Sequence, residues 1–486
     1  MKRYILHSLL GIICIILGGC EKDALNTNPL DKLSSAEFWK SKQDFDMALT
    51  AIYGELQNQM FSVGAPNWDV LTDNGYGQHN YWGSQAIVQG DISPSTGGYI
   101  LDMYTNSYKG IARINIFLEQ LNNFEGDGID TETKLKYEGE ALFMRGFYYF
   151  QLYSSYGSVP IVTEVLKLDN QIQPKSTASE VLARSLADLD VAIANLPDEL
   201  FADNGGHAVQ SSAQALKLRV LMFAAYGDTG VPDTGILTQA RDLALEIMAT
   251  GYDLSPNFED VFKDGSQEGN LEIIYSIKFL APDNATPMDQ WYGDWIVVSP
   301  LQNLVDAFDP LDPRLEMTIF QDEVNFNGNI HNPSNGLPTG YGVKKFLSPG
   351  LMPYGYSTQS QQDWVLLRYA DVLLMYAEAQ NELVGPDQSV YDAIHEIRDR
   401  VSMADLPAEL SKEEMRAAIR LERRIEMAFE GLRYYDLKRW RIADEVLNNV
   451  TDGVLDYTFD ERFYQWPIPQ SEIDKSQGIL EQNQDY

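Results

Sequence analysis

Cysteine is almost absent: two residues, Cys14 and Cys20, in a chain of 486. Both stand at the N-terminal end, so the rest of the chain holds no disulfide and no thiolate metal site. Histidine is nearly as scarce. Beyond the first residues there remain His79, His207, His331 and His395, scattered and without the spacing of a metal centre. His395-Glu396 runs into Ile397-Arg398-Asp399, so the second histidine of a zinc-protease helix is missing. No nucleophile elbow, Walker loop, dinucleotide glycine motif or EF-hand spacing occurs. Neither a metal nor a cofactor is expected. Motif-bearing enzyme classes are thereby excluded. Glycoside hydrolysis stays open, because it needs just two carboxylates and the chain has 71 acidic residues. Basic residues number 36, giving a formal net charge of −35. Such a surface repels nucleic acid and anionic headgroups. After residue 20 no stretch approaches the ~18 uncharged apolar residues that a membrane-spanning helix requires.

What is present begins with Lys2 and Arg3, followed by an apolar run over 5–17 interrupted by His7, Ser8 and Gly11. That run is too short to cross a bilayer and has the shape of a secretory signal peptide. It closes with Leu17-Gly18-Gly19-Cys20, which resembles a bacterial lipobox. The resemblance implies a signal peptide over 1–19 and lipidation of Cys20. The alternative is an ordinary signal peptide beside a chance cysteine, which would leave an exported protein with a reactive free thiol. Acyl chains stabilise membrane anchorage by about 0.8 kcal/mol per buried CH₂, so several together hold durably. Residues 20–33 are polar and read as a lipidated tether. Residues 34–486 read as one domain.

Helical periodicity dominates that domain. Ser34-Ser35-Ala36-Glu37 and Thr177–Glu180 are capping boxes, as is the stretch from Ser411 to Glu414. Apolar residues at helical spacing predict helices over 44–60, 102–156 with a break near Gly126 and Gly128, 178–196, 208–226, 236–250, 363–384, 388–402, 411–430 and 432–448. Two regions lose the period, 61–103 and 251–362, and both are rich in Gly, Pro, Asn, Asp and aromatics. Short strands fit 272–278 and 295–298. Loops of this length inside a folded domain are usually functional. The tail from 451 reads as irregular. A weak repeat, Ala141-Leu142-Phe143-Met144-Arg145 against Ala215-Leu216-Lys217-Leu218-Arg219, leads each time into a helix ending in Tyr-Gly. That spacing suggests tetratricopeptide-like helix pairs, and the expected class is all-α with long irregular loops and few short strands.

Several segments, taken in order, carry a family resemblance. They are Asn28-Pro29 and Ser35-Ala36-Glu37-Phe38-Trp39; Arg145-Gly146-Phe147-Tyr148-Tyr149-Phe150 with Tyr156-Gly157; Leu366-Leu367-Arg368-Tyr369-Ala370-Asp371; Glu422-Arg423-Arg424 with Phe429-Glu430-Gly431; and Trp466-Pro467-Ile468-Pro469. Together, behind a lipobox, they resemble the SusD/RagB family of outer-membrane nutrient-binding lipoproteins. The resemblance implies a tetratricopeptide-like fold, a surface-exposed lipid anchor and a SusC-like TonB-dependent transporter as partner. Glu21 and Asp23, flanking Lys22, resemble imperfectly the export signal of such surface lipoproteins. The family segments themselves read as scaffold. Glu422, on an apolar helical stripe, calls for an arginine from a neighbouring helix.

A sugar offers a flat C–H face and a rim of hydroxyls, so aromatic rings interleaved with hydrogen-bonding side chains are the pattern that would hold one. Two stretches have it. The first runs through Asp73, Asn74, Tyr76, His79, Tyr81 and Trp82; the second through Trp291, Tyr292 and Trp295. The candidate contacts are Asp73, Asn74, Tyr76, Tyr81, Trp82, Trp291, Tyr292 and Trp295. The competing reading is that these rings pin long loops to the helices. Four functions follow: a glycan binder serving a transporter, a peptide or other nutrient binder on the same scaffold, a surface glycoside hydrolase, and a scaffold with protein partners alone.

Overall fold

The computed structural model describes residues 38–62, 67–451 and 453–486. The lipobox, Cys20, the tether and the Ser34–Glu37 capping box lie outside these residues.

The architecture is all-α with few short strands. Phe45, Leu49, Ile52 and Leu56 recur at three to four residues, and the helix Lys42–Leu56 buries that face. Helices Tyr99–Asn123 and Thr131–Tyr156 pack on each other across a break at Gly126 and Gly128. Gly110 makes their close approach possible, since a Cβ there would lie 2.3 Å from the Tyr148 ring. Thr131–Tyr156 then pairs with Ala178–Asn195, whose Thr177 and Glu180 form the expected capping box. Gln210–Ala224 pairs with Thr234–Met248, and Tyr369–Val384 with Gln388–Arg400. Successive pairs stack, which is the tetratricopeptide-like arrangement.

The elements differ from the sequence reading in identifiable places. The stretch expected to open a helix at 363 is instead the strand Trp364–Arg368, antiparallel to Ile273–Ile277. Both faces of that strand are nearly fully covered, so its apolar run carries no period that tells strand from helix. The helix expected to reach 430 ends at Glu426, because Phe429 and Gly431 adopt left-handed φ of 66° and 80°. The helix expected over 432–448 is two, Arg433–Arg439 and Ala443–Leu447, separated by Arg441 at φ 55°. Residues 295–298 form no strand; Ser299–Pro300 beside them does. The tail contains the helix Gln470–Lys475.

Charged residues knit the helices from within. Arg368 binds Glu272, Glu426 and Glu430, each at 2.7 Å. Arg314 binds Asp312, Glu422 and Glu426 at 2.6–2.9 Å. Arg398 closes on Glu422, Arg400 on Glu272 and Glu426, and Lys345 on Glu430. Five cations thus meet five carboxylates, and the cluster is neutral as a whole. Buried charge survives when each partner is paired and hydrogen-bonded. Among the arginines of the family-like segments, Arg368 is therefore internal bracing, as are Arg145, paired with Asp188, and Arg423, paired with Asp371 and Asp436.

Candidate functional site

The two aromatic segments, over 200 residues apart in the chain, meet in space. Gly75–Tyr76 pairs antiparallel with Ser299–Pro300, with Tyr76 opposite Ser299. The Leu301 N–H donates to the Asn74 carbonyl at 2.9 Å. Three residues beyond Tyr76, His79 Nε2 lies 2.8 Å from the Trp295 carbonyl oxygen, and the Asn335 side-chain amide donates to the same oxygen at 2.9 Å. Asp69 anchors the first segment to the scaffold. Its buried carboxylate accepts from Asn74 Nδ2 at 2.8 Å and from the Phe429 and Gly431 N–H groups at 3.2 Å. Burial pushes its pKa up to about 6 against these donors.

Local backbone geometry aims the rings. Asn80, Trp82 and Gly83 all carry positive φ, so the chain coils tightly through the aromatics. Gly98, at φ 61°, passes so close to the Trp82 carbonyl that a Cβ there would lie 1.8 Å from its oxygen. Burial pushes the Asp102 carboxyl pKa up, and the neighbouring Trp82 side chain opposes that rise. On the other side, Ile296 at φ 53° turns the chain just after Trp295. Asp289, at the start of this segment, is buried and accepts the Ser348 N–H at 2.6 Å; burial pushes its pKa up to about 7.

The candidate residues divide into two groups. Tyr81, Trp82, Trp291 and Trp295 are partly exposed around this junction. Tyr81 stands 5.6 Å from Trp82 and 5.4 Å from His79, centroid to centroid. Asp73, Asn74 and Tyr292 are buried, which corrects their expected place at a ligand surface. Asp73 takes a two-pronged bond from Arg433 at 2.9 Å and a salt bridge from Arg424. Asn74 accepts from Arg424 Nε at 2.8 Å, and the Tyr292 hydroxyl accepts from Asn67 at 2.7 Å. These three hold the loops on the scaffold. Tyr76 is also largely covered, and its hydroxyl accepts from Gln85.

Sequence reasoning missed Tyr356, which is 87% exposed and sits edge-on to Trp295 at 5.1 Å. Its neighbourhood, Pro353-Tyr354-Gly355-Tyr356, interleaves aromatics with glycine as the two chosen segments do. Nothing in the sequence marked Asn335. Asp294, beside Trp295 in the chain, has a structural partner: it accepts the Ser334 N–H at 2.8 Å. Among the described residues no group of three His, Cys, Asp or Glu is placed to hold a metal ion.

Comparison with known proteins decides the family. The family described as "SusD family" matches residues 258–486, and that described as "Starch-binding associating with outer membrane" matches residues 25–222. The chain belongs to the SusD/RagB family. The SusD-like protein P38 of Formosa agariphila is 26% identical over 498 residues, covering 93% of this chain and 94% of its own. A SusD-like protein of Bacteroides ovatus is 22% identical, with 89% and 82% covered. Among solved structures, a SusD-like protein of Bacteroides fragilis superposes with a TM-score of 0.79 at 24% identity, over 95% of this chain and 100% of the other. A SusD-like carbohydrate-binding protein of the same species gives 0.77 at 25%, with 91% and 99% covered. A laminarin-binding SusD-like protein gives 0.76 at 24%, with 92% and 100% covered. The SusD-like fold expected from the sequence is therefore the fold observed. No described helix is long and apolar enough to cross a membrane.

Proposed function

We propose that this SusD-family protein captures an oligo- or polysaccharide on the surface formed by Tyr81, Trp82, Trp291 and Trp295, with Tyr356 at its edge. It performs no reaction on the glycan and passes it to a SusC-like TonB-dependent transporter. A lipid on Cys20 holds it on the outer face of the outer membrane. One observation carries this reading: two aromatic segments distant in the chain are locked at one place with ring surface exposed, while Asp73, Asn74 and Tyr292 are spent on positioning them. Exposed rings on a rigid support suit the flat faces of sugars. The carbohydrate-binding and laminarin-binding relatives support the ligand class.

The test is affinity electrophoresis of the soluble chain from residue 21 through gels containing a panel of polysaccharides, with Trp82→Ala and Trp295→Ala alongside. Retardation by one polysaccharide, lost in either folded variant, is the expected result. A broad panel that retards nothing overturns the glycan reading and favours a peptide or other nutrient on the same scaffold.

A further inference from the structure

A cavity of about 560 Å³, sharing no lining residue with the aromatic junction, is bounded by the helix Tyr99–Asn123, the connection over 157–177 and the end of the helix Gln470–Lys475. That volume is in the range of small-molecule sites. Its floor is apolar, from Val162, Leu166, Ile172 and Leu480. Two tyrosines stand in one wall. Tyr104 and Tyr108 are 4.8 Å apart by ring centroids, and the Tyr108 hydroxyl is fixed by donating to the Pro160 carbonyl at 2.6 Å.

The polar rim is neutral. Lys475 is matched by Glu472 at 2.7 Å, so no surplus cation faces the cavity to hold a carboxylate or sulfate. Gln171 and Gln477 are exposed at the mouth, and their side-chain amides make no hydrogen bond to any described residue. An apolar floor, a fixed tyrosine ring and free amides without net charge match a neutral sugar, whose C–H face and hydroxyls they complement.

The helix Tyr99–Asn123 joins the cavity to the proposed glycan surface. The Gly98 backbone lies against the Trp82 carbonyl, and Thr105, seven residues or about 10 Å further along the helix that opens there, lines the cavity. We propose that this cavity is a second saccharide subsite, taking neutral hexopyranose units of a glycan that extends from the Trp82 surface. The proposal rests on the glycan-binding reading above and adds a preference for long, uncharged chains.

The experiment has two arms. Crystals of the soluble chain from residue 21 are soaked in laminaritriose or maltotriose. A sugar ring against Tyr108 supports the subsite. Solvent alone in the cavity overturns it, as does finding the cavity filled by residues 25–37 of the chain itself. In solution, retardation by laminarin and starch gels is compared for the native chain, Tyr108→Ala, the exposed pair Gln171→Ala with Gln477→Ala, and Trp295→Ala. Loss of a stacking ring is expected to weaken binding about tenfold in Tyr108→Ala, and the glutamine pair should weaken it without any change in folding. If Trp295→Ala loses retention while both cavity variants keep it, the subsite fails and the glycan-binding function stands. If neither polysaccharide retards the native chain and neither trisaccharide occupies the cavity, both fall.

Discussion

His79 Nε2 stands 2.8 Å from the carbonyl oxygen of Trp295, bridging 216 positions of sequence. This bond ties the two aromatic loops together just beyond their short strand pair. His79→Ala removes it and leaves Asn335 as the remaining donor to that oxygen. A neutral hydrogen bond contributes about 1 kcal/mol, so binding should weaken about fivefold. Retardation in polysaccharide gels, read beside the melting temperature, checks this; unchanged retention would show that Trp295 is held well enough without His79.

Tyr356 offers a cleaner separation of binding from stability. With 87% of its surface exposed, truncation to alanine should change stability by no more than about 0.5 kcal/mol. If the ring contributes to sugar stacking beside Trp295, binding falls while the melting curve stays in place. Chemical denaturation and gel retardation of the same preparation give both numbers.

Gly98→Ala should do the reverse of a conservative change. The new methyl group meets the Trp82 carbonyl, and φ of 61° is strained for alanine. The loop carrying Trp82 must move. The expected outcome is a destabilisation above about 1 kcal/mol together with weakened binding. Retained binding at native affinity would mean that Trp82 is not a contact.

Glu426→Gln removes a charge shared by Arg314, Arg368 and Arg400. Breaking such a buried cluster costs about 3–5 kcal/mol, measurable by urea unfolding. This cluster and the separate buried pair of Glu378 with Arg439 predict acid sensitivity. The guanidinium of Arg439 draws the Glu378 pKa from 4.5 down to about 2 despite burial, and arginines draw Glu426 well below its ordinary value. Groups depressed on folding contribute stability that is present above the unfolded pKa and is lost as pH falls through the folded one. Stability should therefore decline from about pH 4.5 towards pH 2.

His207 works in the opposite direction. Its Nδ1 lies 2.7 Å from the buried Glu140 carboxylate, and that hydrogen bond raises the imidazole pKa above 6.5, against the pull of burial. The contribution is full below 6.5 and is lost as pH rises through the elevated value. Melting temperatures between pH 5 and 9 should show a loss on the alkaline side that His207→Gln flattens.

Much of the scaffold was legible because its helices are long and amphipathic. The Phe45–Leu56 stripe and the Thr177–Glu180 box carry strong local signals. Trp364–Arg368 was not legible, since a strand covered on both faces has no alternation to read. The site was legible in part for a related reason. Composition marks Trp82 and Trp295 as members of aromatic loops. It cannot distinguish them from Asp73 or Tyr292, whose partners Arg433 and Asn67 lie 360 and 225 positions away. Which member of a loop faces outward is settled by such distant bonds.

The self-contained charge cluster has a consequence for engineering and for divergence. Its ten ions satisfy one another, so the loop surface above owes it no counter-charge. Ring-bearing residues at Tyr81, Trp291 and Trp295 can be exchanged for others without unpairing any ion of that cluster. The helical frame is thus a chassis on which recognition is interchangeable, and grafting both loops from a relative, with Asp69, Asp73 and Asn74 kept as mounting points, is the natural route to transplanting one protein's taste in sugars onto another.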